Sequence, residues 1–465
     1  MLTFQDFQAC ESVPDFIIKA ISEHKNSDAY KTAVDADLYD HQRNKTINEY
    51  VKTIWTMGGV PTMDITAANS KIASNFFHRL NTQRVTYLLG NGVEFNNDTT
   101  KDRLGNDFDT KLKDGAYDAL IHGVSFGFWN VDHVHFFPLT EFVPLYDEET
   151  GILRAGFRFW QLDDTKPLIV MVYEEDGFTK YMRTKTAKPL EIVQEKRAYR
   201  QTIASTEFGG DEVIGEQNYG VLPIIPLWGS KLHQSTLIGM QRSIDSYDLI
   251  RSGFANDLTD VAEIYWLIEN AAGMDESDLA KFRDRLKLTH IATAETADGA
   301  KVTPYTQEIP YAARQAYLDS IRAEIYESFG ALDVHTVAAG ATNDHIDAAY
   351  QPMDEEADDF EFQIIEFIQQ ILEILGIEDD PLFKRNRISN QSEQTQMVLS
   401  ASEYLDEETI LKKLPFITVD EVKDILSRKD SEDMDRFGML EAQKQAISAD
   451  QEEQQPNTND EEETA

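Results

Sequence analysis

The chain has 465 residues, and its 83 acidic residues outnumber the 43 basic ones, which gives a formal net charge of −40 at pH 7. This excess of negative charge repels phosphate groups, so the composition excludes a nucleic-acid binder of the basic-patch kind and disfavours anionic membrane surfaces. The length predicts two or three domains, and a hydrophobic content of 41% is sufficient to build packed cores.

The single cysteine, Cys10, excludes an intrachain disulfide and zinc sites that need two or more cysteines. No stretch approaches the ~18 apolar residues of a membrane-spanning helix. The segment Met1–Asp6 lacks the basic start and the apolar run of a signal peptide. We therefore expect a protein that is made in a cytoplasm and has no membrane partner.

The first half of the chain is predicted to be helical and then β-rich. Apolar side chains at helical spacing predict helices within residues 1–35, Asn69–Gly90 and Lys111–His122. Over residues 125–226, short aromatic or alternating runs are separated by turn-forming residues, which predicts an antiparallel sheet region. The predicted fold class is therefore α+β.

A long helix is predicted from Leu237 to about Glu263. Tyr247, Phe254 and Val261 are seven residues apart, and Leu258 lies between the last two. A 3.5-residue period suits packing against neighbouring helices, although an ordinary core helix of a single chain explains it as well.

A compact island of mixed composition follows this helix, over residues 264–309. Strand-like runs lie at both of its ends, a charged helix is predicted from Ser277 to Lys287, and Asp298-Gly299 is a hairpin signal. Pro310 is suited to the first turn of another helix, which is predicted to end at Phe329. One face of that helix is formed by Leu318, Ile321 and Ile325.

A loop of small residues without Lys or Arg comes next, and then the longest predicted helix. The loop is Val334–Thr342, and the helix runs from about Asn343 to Leu375, with an acidic first half and an apolar second half. Two or three short helices are predicted over residues 392–428. The segment Asp450–Ala465 has no basic and no large apolar residue, which predicts disorder.

The sequence carries no familiar signature of catalysis or nucleotide binding. It has no GxxxxGK[ST] phosphate loop, no GxGxxG that opens a helix, no HExxH and no GxSxG. The missing phosphate loop predicts that the chain is not itself a P-loop motor.

Two clusters could nevertheless carry chemistry. His133 and His135 form a His-x-His pair on a predicted strand and could ligate zinc, but without a further ligand we favour two half-buried strand residues. The acidic run Asp354–Glu361 could hold paired carboxylates for acid–base work. A solvated helix face, stabilised by the helix dipole, is the interpretation we favour for that run.

The dense basic spot of the chain is formed by Lys384, Arg385 and Arg387. It could contact a phosphate backbone. In a chain with this excess of carboxylates, three cations are expected to lie near acidic side chains. Local salt bridges are therefore the favoured interpretation.

An alternative function is an acidic intracellular hydrolase that depends on a metal or on carboxylates. It would require Asp354 or Glu355 to converge with His133 or His135. Metal analysis and a mass measurement would separate this alternative from a large assembly.

Several short segments follow one another in a distinctive order. They are Tyr87-Leu88-Leu89-Gly90, Ala119–Ser125, Phe137–Asp147, Arg158-Phe159-Trp160, Gly220–Pro226, Ile244–Asp248, Ser252, Asn256-Asp257, Gly340-Ala341-Thr342, Tyr404–Thr409 and Leu414-Pro415. In this order, over roughly residues 35–430, the chain resembles the portal proteins of tailed bacteriophages, in particular the family common in phages of Gram-positive hosts. It departs from the family at Asn343-Asp344, where the family has Ser-Gly. A shorter head–tail connector is a further alternative, against which the length of the chain argues.

The resemblance implies a ring, usually of twelve subunits, at one capsid vertex, through which double-stranded DNA is packaged and ejected. It also implies a protein that is not an enzyme and that holds neither a cofactor nor a metal. It implies a wing over 1–236, a first stem helix over 237–263, a clip over 264–309, a second stem helix over 310–330, a tunnel loop over 331–342, a long wing helix with its following strand over 343–391, crown helices over 392–449 and a disordered acidic tail over 450–465.

The resemblance also assigns roles to individual residues. The tunnel loop in the DNA channel would comprise Val334, His335, Thr336, Val337, Ala338, Ala339, Gly340, Ala341 and Thr342. The stem would pack through Tyr247, Phe254, Leu258, Val261, Leu318, Ile321 and Ile325. The clip would dock the packaging machinery through Lys281, Arg283 and Arg285.

The implied partners are other proteins, with double-stranded DNA as cargo. They are further copies of the chain, the large subunit of the terminase, the major capsid and scaffolding proteins and a head-completion or adaptor protein. The implied location is the portal vertex of the virion, and the host cytoplasm during assembly. Twelve copies at −40 each would carry about −480 charges, so that a channel of this sign resists sticking to DNA.

Overall fold

The computed structural model describes most of the chain in several ranges. These are residues 2–55, 59–63, 69–185, 188–205, 211–261, 265–269, 301–305, 311–334, 343–387, 391–402, 404–414, 417, 422 and 425–429.

Along the chain, helices both precede and follow a β-rich region. They are α1 (Phe4–Gln8), α2 (Val13–Asn26), α3 (Asp28–Asp40), α4 (Lys45–Glu49), α5 (Phe76–Leu89), α6 (Asp98–Leu104), α7 (Phe108–His122), α8 (Leu237–Val261), α9 (Tyr311–Phe329), α10 (Asn343–Leu375), α11 (Gln391–Ser400) and α12 (Glu407–Lys413). The predicted helices over Lys111–His122, from Leu237, after Pro310 and over Asn343–Leu375 are confirmed. The helix predicted over Asn69–Gly90 begins only at Phe76, and residues 69–75 form neither helix nor strand.

The strands fall mainly between residues 124 and 228. They are β1 (Thr53–Trp55), β2 (Pro61–Met63), β3 (Val93–Phe95), β4 (Val124–Asn130), β5 (His133–Pro138), β6 (Phe142–Tyr146), β7 (Leu153–Trp160), β8 (Leu168–Glu174), β9 (Gly177–Arg183), β10 (Glu191–Arg197), β11 (Arg200–Ser205), β12 (Asp211–Gln217), β13 (Ile224–Trp228), β14 (Tyr265–Glu269), β15 (Lys301–Tyr305) and β16 (Pro381–Phe383).

Two antiparallel sheets form the β-rich region. One has five strands in the order β10-β9-β8-β7-β6, and the other has three in the order β13-β4-β5. Strands β11 and β12 form a separate hairpin, and three further strand pairs are β1-β2, β3-β16 and β14-β15. Every pairing between described strands is antiparallel. The predicted antiparallel region and the α+β class are confirmed.

The first apolar core packs α5, α7 and the second half of α10 against the three-stranded sheet. Phe367 of α10 is 1% exposed, and its ring lies 5.3 Å from that of Phe136 on β5. Gly127 on β4 makes room for this ring, because a Cβ at that position would lie 2.4 Å from Cζ of Phe367. A side chain on this face of β4 would therefore displace α10.

The second core packs α1 and α2 on the five-stranded sheet. On β8, the side chains of Leu168, Val170 and Val172 point to the buried face at alternate positions, as expected for a sheet that is covered on one side. Phe7 of α1 contributes to the same core, with its ring 5.4 Å from that of Phe157.

The third core holds the first half of α8 and the second half of α9. Leu237, Met240 and Ile244 of α8 are buried with Ile321 and Ile325 of α9, between α3 and α5. The start of α8 and the end of α9 are therefore anchored in this core.

The chain divides into two compact units. One comprises residues 1–333 and 350–386, and the other comprises residues 334–349 and 387–465. In the second unit, Asp406 caps α12 by accepting a hydrogen bond from the backbone N–H of Thr409 at 3.0 Å. Helices α11 and α12 lie where short helices were predicted.

Candidate functional site

Helices α8 and α9 form an antiparallel hairpin with a strand pair in the segment that joins them. Near the anchored end, Ser243 donates a hydrogen bond to Glu324 at 3.2 Å. Farther along α8, the rings of Phe254 and Tyr311 lie 5.6 Å apart. Strand β14 follows α8 and pairs with β15, which precedes α9. The chain therefore runs away from the third core along α8 and returns to it along α9.

The three residues predicted to form the apolar face of α9 share one buried side. Leu318, Ile321 and Ile325 are 7%, 5% and 1% exposed. Two of them, Ile321 and Ile325, belong to the third core. The predicted helical face is confirmed, and it is buried within a single chain.

The residues predicted on α8 are distributed differently. Tyr247 is half-buried, with its ring 5.0 Å from that of Phe76. Phe254 is also half-buried, against Tyr311, while Leu258 is 55% exposed. The side chain of Val261 lies outside the described residues.

The face of α8 that is buried within the chain is polar beyond Ile244. Asp248, Ser252 and Asn256, four residues apart, are 0%, 2% and 2% exposed. The seven-residue apolar spacing therefore did not predict which face of the distal half of α8 this chain covers. The short polar side chains after Ile244 repeat every four residues, which places them on one side of a helix. This repeat could have predicted the buried face.

These three side chains bind residues 69–75, which form neither helix nor strand and which we name the strap. The backbone N–H groups of three alternate strap residues donate the hydrogen bonds. They run from Ser70 to Oδ1 of Asn256 at 2.6 Å, from Ile72 to Oγ of Ser252 at 3.0 Å and from Ser74 to Oδ1 of Asp248 at 2.9 Å.

The spacing of the two partners explains why this ladder forms. Four residues of an α-helix rise ~6.0 Å, and two residues of a chain can span up to ~6.6 Å. The acceptors and the donors can therefore stay in register over three steps. Because its N–H groups are held in this way, the strap is not helical where helical spacing in the sequence predicted the start of α5.

Further hydrogen bonds tie the middle of α8 to α3 and α4. Asn44 donates to Oδ2 of Asp248, and Thr46 donates to Oδ2 of Asp245 at 2.7 Å. Tyr39 donates to Oδ1 of Asp245 at 2.5 Å, and burial together with this carboxylate raises the pKa of Tyr39 to about 12. Burial also raises the pKa of Asp248. The polar face of α8 is therefore a desolvated network, in which carboxylates accept several hydrogen bonds.

Arg84 of α5 holds the end of α9 close to α10. Its guanidinium donates to the backbone carbonyl of Phe329, lies 4.1 Å from the centre of the Phe329 ring and is 3.2 Å from Glu356 of α10. Burial lowers the pKa of Arg84, and the negative charge of Glu356 acts against this shift. Gly330 turns the chain at φ +63°, where a Cβ would lie 2.6 Å from Glu356. Sequence reasoning missed this contact, because nothing in the pattern of α5 distinguishes a buried arginine from an exposed one.

The loop and clip residues predicted to have functions lie largely outside the described residues. Val334 is described and is 58% exposed. His335, Thr336, Val337, Ala338, Ala339, Gly340, Ala341 and Thr342, and also Lys281, Arg283 and Arg285, lie outside the described residues. Their roles stay predictions.

The local salt bridges predicted for the basic spot are confirmed for two of its residues. Arg385 is 2.8 Å from Asp354 and 2.9 Å from Glu361, and it also pairs with Asp358. In the second unit, Arg387 is 3.2 Å from Asp347.

The predicted solvated face on the acidic half of α10 is confirmed for Glu355 and Asp358, which are exposed. It is wrong for Asp354 and Glu361, whose side chains are only 22% and 25% exposed, against Arg385. Glu356 pairs with Arg84. The physical reason is that cations distant in sequence fold back onto this helix, which no local pattern contains.

The residues required by the hydrolase alternative are not brought together. His133 bonds Asp132 at 2.6 Å, and Asp354 is occupied by Arg385. Phe136, next to His135, contacts Phe367. Phe367 lies thirteen positions after Asp354 on α10, which is a rise of ~20 Å along the helix. In the part of the chain that the structure describes, no group of three or more His, Cys, Asp or Glu side chains could hold a metal ion.

Over the described ranges, none of the helices is both long enough and apolar enough to span a bilayer.

The raised pKa of Asp118, on α7, should make the free energy of unfolding depend on pH. Asp118 lines a cavity of about 280 Å³ with Lys113 and Tyr117, and burial raises its pKa from 3.8 to about 6, although His122 opposes the shift. As the pH rises from 4 to 6, the unfolded chain loses this proton before the folded one. The free energy of unfolding therefore falls across this window and stays lower above it.

We expect Asp118→Asn to be more stable than the wild type, with an advantage that grows by about 1 kcal/mol between pH 5 and pH 8. Urea unfolding at both pH values, above the isoelectric point of about 4.5, measures this growth. The exposed Asp102 on α6 supplies the control, Asp102→Asn, which should change stability within about 0.5 kcal/mol at both pH values. An advantage of Asp118→Asn that is equal at the two pH values would show that Asp118 is not the titrating group.

Comparison with known proteins identifies relatives over most of this architecture. The profile of the family described as "Phage portal protein, SPP1 Gp6-like" matches residues 18–435. A portal protein of Clostridium phage phiCD119 is 25% identical over 383 residues, which cover 75% of this chain and 82% of that protein. The portal protein of Bacillus phage SPP1 is 24% identical over 412 residues, which cover 79% of this chain and 77% of that protein. The region that the profile matches includes both sheets, the α8/α9 hairpin and α10.

Proposed function

The chain belongs to the phage portal protein family of the SPP1 Gp6-like type, and we propose that it forms a dodecameric ring at one capsid vertex. Portal proteins of phages are structural components of the virion capsid. In the proposed ring, the central channel carries double-stranded DNA into the head during packaging and out of it during ejection.

The observation that carries this proposal is the α8/α9 hairpin within a chain that the portal profile matches almost completely. We assign α8 and α9 to the two stem helices and residues 264–309 to the clip. The assignment is supported by the position of the β14-β15 pair between the two helices. Residues 1–236 and 343–391 form the wing in this proposal, 331–342 the tunnel loop and 392–449 the crown.

A groove on the hairpin supports packing of stems between neighbouring copies. The groove has a volume of about 370 Å³ and is lined largely by apolar groups, among them Ile250, Ala313 and Tyr317. Tyr317 is 51% exposed and Leu258 is 55% exposed, so apolar surface remains uncovered along the hairpin. We propose that the hairpin of an adjacent subunit covers it, in a head-to-tail contact that closes into a ring.

The strong negative charge fits a conduit for DNA. Many Lys or Arg contacts to phosphate would hold the DNA in place and would make its passage slow. With a net charge of −40 per chain, the proposed ring makes its firm contacts with proteins. We propose the terminase, the capsid and scaffolding proteins and the head-completion proteins as these partners, first in the host cytoplasm and then in the virion.

Head assembly with and without the chain tests the proposed function. Heads assembled with capsid protein, scaffolding protein, terminase and this chain should protect genome-length DNA from nuclease. Heads assembled without the chain should protect none. Equal protection in both assemblies would refute a portal role.

The clip assignment makes a separate prediction about the packaging ATPase. Reversal of the charge at Lys281, Arg283 and Arg285 should weaken binding of the terminase large subunit to the ring, roughly tenfold for ~1.4 kcal/mol of lost interface energy. Pull-down of the terminase on immobilised rings at fixed ionic strength measures the change.

The matched control reverses three exposed lysines of the wing, Lys166, Lys185 and Lys188, which changes the net charge by the same amount. It should leave binding of the terminase unchanged. If both triple variants bind the terminase equally well, the clip residues do not form the docking site.

A further inference from the structure

The two halves of α8 are held in the chain by different kinds of contact. Leu237, Met240 and Ile244 of the first half lie in the third core. The second half begins at Asp248 and places polar side chains on its buried face, as far as Asn256. The change from apolar to polar packing therefore falls within one turn, between Ile244 and Asp248.

The distal part of the hairpin is tied to itself more extensively than to the rest of the chain. The rings of Phe254 and Tyr311 pack together, and Arg314 of α9 forms an ion pair with Asp257 of α8. The guanidinium of Arg314 also lies 5.9 Å from the centre of the Phe254 ring. These contacts keep the distal halves of α8 and α9 together if the pair moves.

From Ser252 to Asn256, the buried face of α8 contacts the rest of the chain through hydrogen bonds to the strap. Ile72 and Ser70 donate them from backbone N–H groups. When an apolar contact opens, exposure of the apolar surface to water costs free energy. When a polar contact opens, water replaces the lost hydrogen bonds, so the net loss per bond is small.

The closed strap also leaves buried polar atoms without a partner. Oδ1 of Asn69, in the strap, and Oδ1 of Asn44, which faces Asp248 through its amide nitrogen, have no hydrogen-bond partner among the described residues. A buried acceptor without a donor destabilises the closed arrangement relative to one in which water reaches it.

We propose that the strap is a releasable latch, which positions the distal half of the α8/α9 hairpin through Asp248, Ser252 and Asn256. The latch opens from the Asn256 end toward Asp248, and the hairpin then tilts about the apolar anchor near Ile244. The open state is a minor population that exists without global unfolding. If the hairpin is the portal stem, as proposed above, the latch allows the stem to change its angle while the wing stays folded.

Amide hydrogen exchange of the strap tests the latch on the assembled full-length protein. Ser252→Thr and Ser252→Val put side chains of nearly equal shape at the same buried site, and only threonine keeps an oxygen that accepts from the Ile72 N–H. We expect peptides that cover residues 69–75 to exchange about tenfold faster in Ser252→Val than in Ser252→Thr, which is ~1.4 kcal/mol of lost latch stability. Peptides of β8, in the second core, should exchange at the same rate in both variants.

Exchange in the wild type supplies a measurement that does not depend on the variants. Opening of a local latch exposes little surface, so strap exchange should be nearly independent of low urea concentration, whereas exchange of β8 should accelerate with urea. Equal exchange of the strap in the two variants would overturn the proposal. So would strap exchange that follows the urea dependence of β8 in the wild type. Neither measurement uses DNA or capsids, so failure of the latch and failure of the portal function are distinguishable.

Discussion

Rings that carry Ala338→Phe together with Ala341→Phe are expected to assemble like the wild type but to package at least about tenfold less DNA, because ~1.4 kcal/mol added to a translocation barrier slows it tenfold. Both residues belong to the tunnel loop implied by the family. The loop Val334–Thr342 consists largely of small or uncharged residues and has no Lys or Arg. Two aromatic rings in each copy would narrow the channel and obstruct the moving duplex. The quantity to measure is nuclease-protected DNA per head, together with the mass of the purified ring.

The control for this experiment keeps the side chains small. Ala338→Ser with Ala341→Ser should package DNA close to the wild-type level, because serine adds one oxygen and little volume. Packaging at the wild-type level in the double phenylalanine variant would show that these residues do not face the DNA. Loss of the ring in that variant would show instead that the loop is needed for assembly.

Phe367→Ala is expected to lower the free energy of unfolding by about 3–5 kcal/mol, the usual cost of deleting a fully buried aromatic side chain. Phe367 lies where α10, β4 and β5 meet, against Phe136 and over Gly127. The cavity left by the ring cannot collapse easily, because β4 and β5 are fixed in the ladder of the three-stranded sheet. Urea-induced unfolding followed by circular dichroism measures the loss.

Phe362 provides the matched control on the same helix. Its side chain is 65% exposed, so Phe362→Ala should change stability by no more than about 0.5 kcal/mol. Equal destabilisation by the two substitutions would mean that α10 does not bury the face described here.

The parts of the fold that follow local rules could be predicted from the sequence. Pro310 predicted the start of a helix, because proline fits the first turn, and α9 begins at the next residue, Tyr311. The apolar second half of α10 predicts its burial, and the aromatic runs between residues 125 and 226 predict antiparallel strands. Each of these signals depends on residues that are close in sequence.

The polar contacts could not be predicted in the same way, because their partners are distant in sequence. Asp248 binds the strap across 174 residues, and Arg84 reaches Phe329 across 245. The strap itself looked helical, since the N–H groups that bind Ser252 and Asn256 leave no mark on its pattern of apolar residues. Tertiary hydrogen bonds therefore decided the conformation of this segment over its local preference.

The candidate site was predictable only in outline. The order of segments identified the family, and Leu318, Ile321 and Ile325 of the hairpin were placed on one buried face. The buried face of the distal half of α8 was not predicted, because the apolar spacing of Tyr247 and Phe254 drew attention to another side of the helix. A repeat of short polar residues can mark a buried face just as apolar residues do, when a backbone edge is available to bind it.

The mass of the purified assembled particle, measured together with negative-stain class averages, tests the central claim most directly. Twelve copies of a 52.9 kDa chain give about 635 kDa, and the averages should show a ring with a central hole. A particle of one or two chains without a hole, at concentrations at which the protein is folded, would contradict the portal assignment.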